Sequence, residues 1–312
     1  MADYIVNGYA YPSISEETLN WWLPRLSWVA SFSYGFTEDG ELINLEDANL
    51  IIPANQAGVR PMMVLTPLDA EGRFNDNIAA AVFEDPEAQT NLIDNIEANL
   101  HAKNMGGVDF DFEYIPRVYA ADYVELVART QRLLSPQGYL TSVALAPKVR
   151  ADQPGVLYEG HDYAGMGRAA DYCLLMTYEW GYSYGEPMAV SPINHVRRVL
   201  EYGLTEIPAE KILMGMSNYG YDWALPFVRG ESKAEKLTNY QAQARAEYYG
   251  VPVEWDETAQ APFYTYATPA GVKHIVWFEN ERSWQARLAL VAEYGLAGVS
   301  IWNIMHIFYG GL

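Results

Sequence analysis

The stretch Gly106-Gly107-Val108-Asp109-Phe110-Asp111-Phe112-Glu113-Tyr114-Ile115 decides how this chain is read. After two glycines, acidic and apolar residues alternate. Asp109, Asp111 and Glu113 stand two apart, so in a β-strand they share one face, while Val108, Phe110 and Phe112 share the other. The apolar face can pack on helices, which turns the carboxyls toward the inside of a closed sheet. Burying charged carboxylates without partners is costly. Neighbouring carboxyls cannot all ionise cheaply, so at least one keeps its proton to higher pH. Glu113 is the outermost, and a carboxyl protonated near neutral pH is what a general acid needs. Two plainer readings stand beside this one: a solvated acidic strand face, and a carboxylate cluster for Mg²⁺ or Ca²⁺.

Seven more short runs read as strands: Tyr4–Tyr11, Trp28–Phe36, Arg60–Leu65, Tyr139–Ala146, Asp171–Tyr178, Lys211–Tyr219 and Gly298–Ile304. Most are near-continuous apolar runs, as expected of parallel strands covered on both faces. Helices fall between them. Asp85-Pro86 is an N-cap with proline at the first helical position, followed by Leu92, Ile96 and Leu100 at helical spacing. Val124, Val127 and Leu134 form a second stripe, ended by Gly138. Ser191-Pro192 opens a third helix, which carries Val196, Val199 and Leu200 before Gly203. Ser283 is expected to cap a fourth, with Leu288, Val291 and Ala292 before Gly295. Eight strands alternating with helices predict an α/β fold, a (β/α)8 TIM barrel. No G-x-G-x-x-G follows the first strand, which argues against a dinucleotide fold. One barrel is expected over residues 1–312, with a small α+β insertion over 224–282 between strands 7 and 8. Within it, Leu237–Tyr249 reads as a helix and Val253–Asp256, Ala261–Ala267 and Lys273–Glu279 as short strands. In a TIM barrel this position faces the active-site side, so the insertion should wall a groove.

Composition narrows the partners. The 312 residues include 40 acidic and 20 basic side chains, for a formal charge of −20 at pH 7. Nucleic acid is disfavoured, because phosphate binding needs clustered Lys and Arg. Half the residues are apolar and 14% are aromatic, enough for a large core. No apolar run is long enough for a membrane span. Met1-Ala2-Asp3-Tyr4 has neither the basic nor the apolar region of a signal peptide, so none is expected there. Cys173 has no partner for a disulfide and is read as a small buried hydrophobe. His101, His161, His195, His274 and His306 lack metal-ligand spacing and are read as surface or loop residues.

Here the sequence resembles glycoside hydrolase family 18, the chitinase and N-acetylglucosaminidase family. Gly106 to Glu113 matches seven of the eight positions of the family strand-4 signature D-G-x-D-x-D-x-E, with Gly106 where the family usually has a structural Asp. Met176-Thr177-Tyr178-Glu179 is similar to the strand-6 motif M-x-Y-D, with Glu for Asp. Gly215-Met216-Ser217-Asn218-Tyr219-Gly220 is similar to G-x-P-x-Y-G of strand 7. Gly298-Val299-Ser300-Ile301-Trp302 resembles G-x-x-x-W of strand 8, and Gly8-Tyr9 and Ser33-Tyr34 fall where strands 1 and 2 carry similar residues. Phe112-Glu113-Tyr114-Ile115-Pro116, Met176–Gly181 and Tyr221–Phe227 look most like catalytic domains of bacterial spore-cortex-lytic N-acetylglucosaminidases.

The resemblance implies retaining hydrolysis assisted by the substrate's own acetamido group, an exception to the two-carboxylate rule. Glu113 would protonate the glycosidic oxygen and then act as base. Asp111 would accept from the acetamido N–H, Asp109 would orient Asp111, and Tyr178 would donate to the acetamido carbonyl. Trp302 would form the apolar floor under the reacting sugar. Glu179, Tyr34, Asn218, Tyr219 and Met176 are further candidate contacts. The implied partner is an N-acetylglucosamine-containing polysaccharide, spore-cortex peptidoglycan first and chitin second, and the implied setting is the spore or cell wall. No cofactor or metal is implied. The alternative of another class is a lectin on an inactive barrel, but such relatives normally lack the acid, and Glu113 is present here.

Overall fold

The computed structural model describes residues 4–68, 72 and 75–312; Met1–Asp3, part of the segment read for a signal peptide, lie outside them. Eight parallel strands form its centre: β1 (Ile5–Ala10), β2 (Trp28–Phe36), β3 (Arg60–Leu65), β4 (Gly107–Phe110), β5 (Leu140–Leu145), β6 (Tyr172–Leu175), β7 (Ile212–Ser217) and β8 (Gly298–Trp302). Each pairs with the next in chain order. β8 returns to β1, with Ile5 opposite Gly298. The sheet closes on itself, as the alternation of strands and helices predicts.

Two apolar layers hold the barrel. Tyr9, Trp28, Met62, Val64, Leu174 and Leu213 fill its inside. Val108, Phe110 and Phe112 point outward into a larger core shared with the surrounding helices. Phe112 stacks on Tyr123 at 5.1 Å and on Phe36 at 5.3 Å. The strand starts agree with the sequence reading to within one residue, but several ends do not. β4 stops at Phe110 instead of Ile115. The Asp111 N–H still reaches the Leu65 carbonyl at 2.9 Å, after which the chain leaves the ladder and Tyr114 takes φ 58°.

The helix signals are also read partly right. Asp85 accepts from the Glu87 N–H and starts Pro86–Lys103, which ends on Asn104 at φ 53°. The third helix, Ile193–Glu206, begins after Pro192 and runs through Gly203. Ser191 does not cap it; its hydroxyl donates to the Thr177 carbonyl. Ser283 is not the cap of Glu281–Tyr294 either. Asn280 is, and Ser283 is the reciprocal partner in a capping box.

Between β7 and β8 lies a five-stranded antiparallel sheet, in the order 235–238, 219–225, 273–277, 261–267, 254–256. Helix Asn239–Tyr249 packs Ala242 and Ala246 against Tyr264, Tyr266 and Val276. This sheet begins at Tyr219, not near residue 224, so Tyr219 opens the insertion instead of ending β7. Leu237 belongs to a strand, and the helix starts two residues later at Asn239, capped by Thr238.

Candidate active site

A cavity of about 290 Å³ opens where the strands end, walled by residues within β2, at the end of β8, and after β1, β4, β5 and β6. Asp111, Glu113, Met176, Tyr178, Glu179 and Trp302 all line it. Tyr11, Phe32, Tyr158 and Trp180 line it too, and the sequence reading did not single them out. Trp302 meets Phe32 edge-on at 4.8 Å and Tyr9 at 5.6 Å. The Phe32–Ser33 and Trp302–Asn303 peptides are cis.

The three carboxyls differ in their partners. Asp109 is buried below the cavity. It accepts from the Tyr9 hydroxyl and from the Ser142 hydroxyl, each at 2.5 Å. Burial raises its pKa, and the two hydroxyl bonds oppose the rise. Asp111 Oδ1 is buried with no hydrogen-bond partner. Burial holds the Asp111 pKa well above the usual carboxylate range, and the charges of Glu113 and Asp109 add to this. Burial also raises Glu113, with Glu179 as the second cause. Carboxyls this close titrate as a coupled set, so at least one proton is held to higher pH than an isolated carboxyl would hold it. A protonated carboxyl on a cavity wall can donate a proton.

Tyr178 stands among these acids. Burial and the charges of Asp111, Glu113 and Glu179 keep its phenol protonated, so it can act as a donor into the cavity. β7 passes close behind its ring. A Cβ on Gly215 would lie 2.7 Å from Tyr178 Cε1 and 2.7 Å from the Leu175 carbonyl oxygen. Glu179 sits at φ 63°. Its Oε1 accepts from the Tyr219 hydroxyl at 2.5 Å and the Tyr221 hydroxyl at 2.9 Å. Tyr219 therefore lies behind Glu179 and does not line the cavity, and Tyr221 joins it from the insertion sheet.

Two further expected contacts also lie outside the cavity lining. Tyr34 is fully buried on the helix side of β2. Its hydroxyl donates to Asp47 at 2.6 Å and accepts from Lys103 at 2.9 Å. The side chain of Asn218 is buried and donates to the Asn303 carbonyl at 2.8 Å, outside the cavity lining. The reading of the histidines as surface or loop residues holds for the exposed His101 and is corrected for His161, which is fully buried. Cys173 is buried in β6, and burial pushes its thiol up to about 12.

A closed parallel barrel with an acidic cluster at the end of its fourth strand defines the class, a TIM-barrel glycosidase fold. The chain belongs to Glycosyl hydrolases family 18, whose pattern it matches over residues 73–306. It is 38% identical to the cortical fragment-lytic enzyme of Bacillus subtilis over 90% of its own length, and it spans about 65% of that relative. It superposes on the Bacillus cereus spore cortex-lytic enzyme SleL with a TM-score of 0.93 at 36% identity, covering 98% of this chain and 72% of that one. A chitinase from Chromobacterium violaceum gives a TM-score of 0.88 at 25% identity, covering 96% of this chain and 94% of the other.

Proposed function

We propose that this chain is a retaining, substrate-assisted glycoside hydrolase that cleaves β-1,4 bonds at N-acetylglucosamine, with spore-cortex peptidoglycan as its substrate. The observation that carries the reading is the pairing of a raised Glu113 with the unpartnered Asp111 Oδ1 on one cavity wall. An orphaned buried acceptor is costly unless a ligand satisfies it. The N–H of an acetamido group would do so. With Asp111 holding that N–H and Tyr178 donating to the acetamido oxygen, the oxygen is aimed at C1 of the same sugar. As it attacks, the C1–O bond to the leaving sugar breaks and the departing oxygen takes the proton of Glu113. The oxazolinium ion that forms is positive, and the carboxylate of Asp111 stabilises it. Glu113 then removes a proton from water, which attacks C1 and reopens the ring with retention.

Asp109 is placed in this reading as the group that orients Asp111, and Trp302 as the floor under the sugar. Glu179 and Met176 complete the wall. Cortex peptidoglycan is favoured by the identity to cortical fragment-lytic enzymes. The two tryptophans of the wall, Trp180 and Trp302, favour chitin oligosaccharides as a second reading. The test is mass spectrometry of products from cortex peptidoglycan and chitin hexamer, assayed side by side with a thiazoline analogue of N-acetylglucosamine as inhibitor. Cleavage of cortex glycan that the thiazoline blocks is expected. Turnover insensitive to the thiazoline would exclude substrate assistance, and cleavage of chitin alone would exclude the peptidoglycan assignment.

A further inference from the structure

β4 ends at Phe110, its last partner on β5, so the carbonyl of Phe112, the next to face β5, has no strand to receive it. A buried side chain takes over. His161 Nε2 lies 2.9 Å from the Phe112 carbonyl oxygen, and His161 Nδ1 lies 2.8 Å from the Ala146 N–H at the end of β5. The Ala146 N–H can only donate and the Phe112 carbonyl can only accept. One tautomer satisfies both, with Nδ1 bare and Nε2 carrying the proton. A second proton would set an N–H against an N–H. Burial, with the nearby Lys148 ammonium, lowers the His161 pKa to about 4, so the ring stays neutral.

The same turn is pressed against the segment that carries Glu113. A Cβ on Gly160 would lie 2.2 Å from the Ile115 carbonyl oxygen. Lys148 Nζ donates to the His161 carbonyl at 2.9 Å, which fixes the turn to the segment after β5. Leu157 and Tyr158, from the same stretch, line the cavity. The Phe112 ring is held between Tyr123 and Phe36, so its side chain and its carbonyl are both anchored.

We propose that His161 is a positioning residue for Glu113, bridging β5 to the Phe112–Glu113 peptide in place of the missing strand hydrogen bond. The proposal rests on the reading of Glu113 as the proton donor. His161 does not line the cavity and touches no substrate. It acts through the peptide plane from which Glu113 projects, and a displacement of about 1 Å at a reacting group can cost about a hundredfold in rate.

The test uses His161→Phe, which keeps bulk but makes neither bond, and His161→Gln, whose amide can accept and donate. In His161→Phe, kcat is expected to fall about ten- to a hundredfold with KM within about twofold, and the alkaline limb of the kcat profile to shift as Glu113 moves relative to Glu179. His161→Gln is expected to recover part of kcat. Wild-type kcat and an unshifted profile in His161→Phe would overturn the proposal. The wild-type ring supplies a readout that needs no variant. Its ¹⁵N spectrum at neutral pH is expected to report a bare Nδ1 and a protonated Nε2, and a protonated Nδ1 would overturn it. Glu113→Gln is assayed in parallel: if that variant keeps turnover, the reading of the donor fails, independently of His161.

Discussion

Glu113 and Glu179 stand on the same cavity wall, and after burial the charge of Glu179 is the second cause that raises the Glu113 pKa. Replacing Glu179 by Gln removes that charge, so the Glu113 pKa falls and its proton is lost at lower pH. The alkaline limb of the kcat profile is expected to move downward in Glu179→Gln, and an unmoved limb would detach Glu179 from the donor. Glu113→Gln is expected to abolish hydrolysis while binding of chitin oligosaccharides, followed by calorimetry, survives. On the proposed mechanism Tyr178→Phe removes one donor to the acetamido oxygen and is expected to lower kcat by about 10²–10³, with KM less affected. At this scale the sequence was legible where one strand carries the pattern. Asp109, Asp111 and Glu113 announce themselves by alternation. Tyr9, Ser142 and Tyr221 do not, because β1, β5 and the insertion bring them in across the fold. Tyr34 misleads for a local reason. The β2–β3 register shifts between Ser31 and Tyr34, so Ser31 and Tyr34 both reach Asp47 on the outer face. Simple alternation would have set them on opposite faces.

Strand starts were readable because glycine, aspartate or a charged residue punctuates most of the apolar runs; the ends were not, because strands open into loops at the mouth. Those loops are set by tertiary bonds such as the one from His161. The same holds for helix Glu281–Tyr294, whose cap was misassigned by three residues within one capping box. A buried ion pair joins Glu279, just before this helix, to Arg287 within it at 3.1 Å, both side chains 1% exposed. Arg287 also donates to the Ser191 and Ser283 carbonyls, tying the helix to the loop before Ile193–Glu206. Glu279→Ala leaves a buried guanidinium without its counter-charge. It is expected to cost about 3–5 kcal/mol, read as a lower denaturant midpoint at unchanged slope. A loss under about 1 kcal/mol would mean that the two carbonyls suffice.

The whole molecule carries a formal charge of −20. A glycan bearing carboxylates approaches against that field, whereas a neutral oligosaccharide does not. Raising the ionic strength shortens the reach of the repulsion. Accordingly kcat/KM on carboxylated peptidoglycan fragments is expected to rise with added salt, while kcat/KM on chitin oligosaccharides stays flat. Equal salt responses would place the charge away from the approach path.

β7 hands over to the insertion sheet through the single residue Asn218, and the first strand of that sheet supplies both hydroxyls that hold Glu179. Trimming the insertion to widen the cleft for bulkier glycans would therefore strip a wall carboxylate of its clamps. Redesign of substrate breadth has to keep Tyr219–Leu225 as a fixed graft point and vary only the outer hairpins.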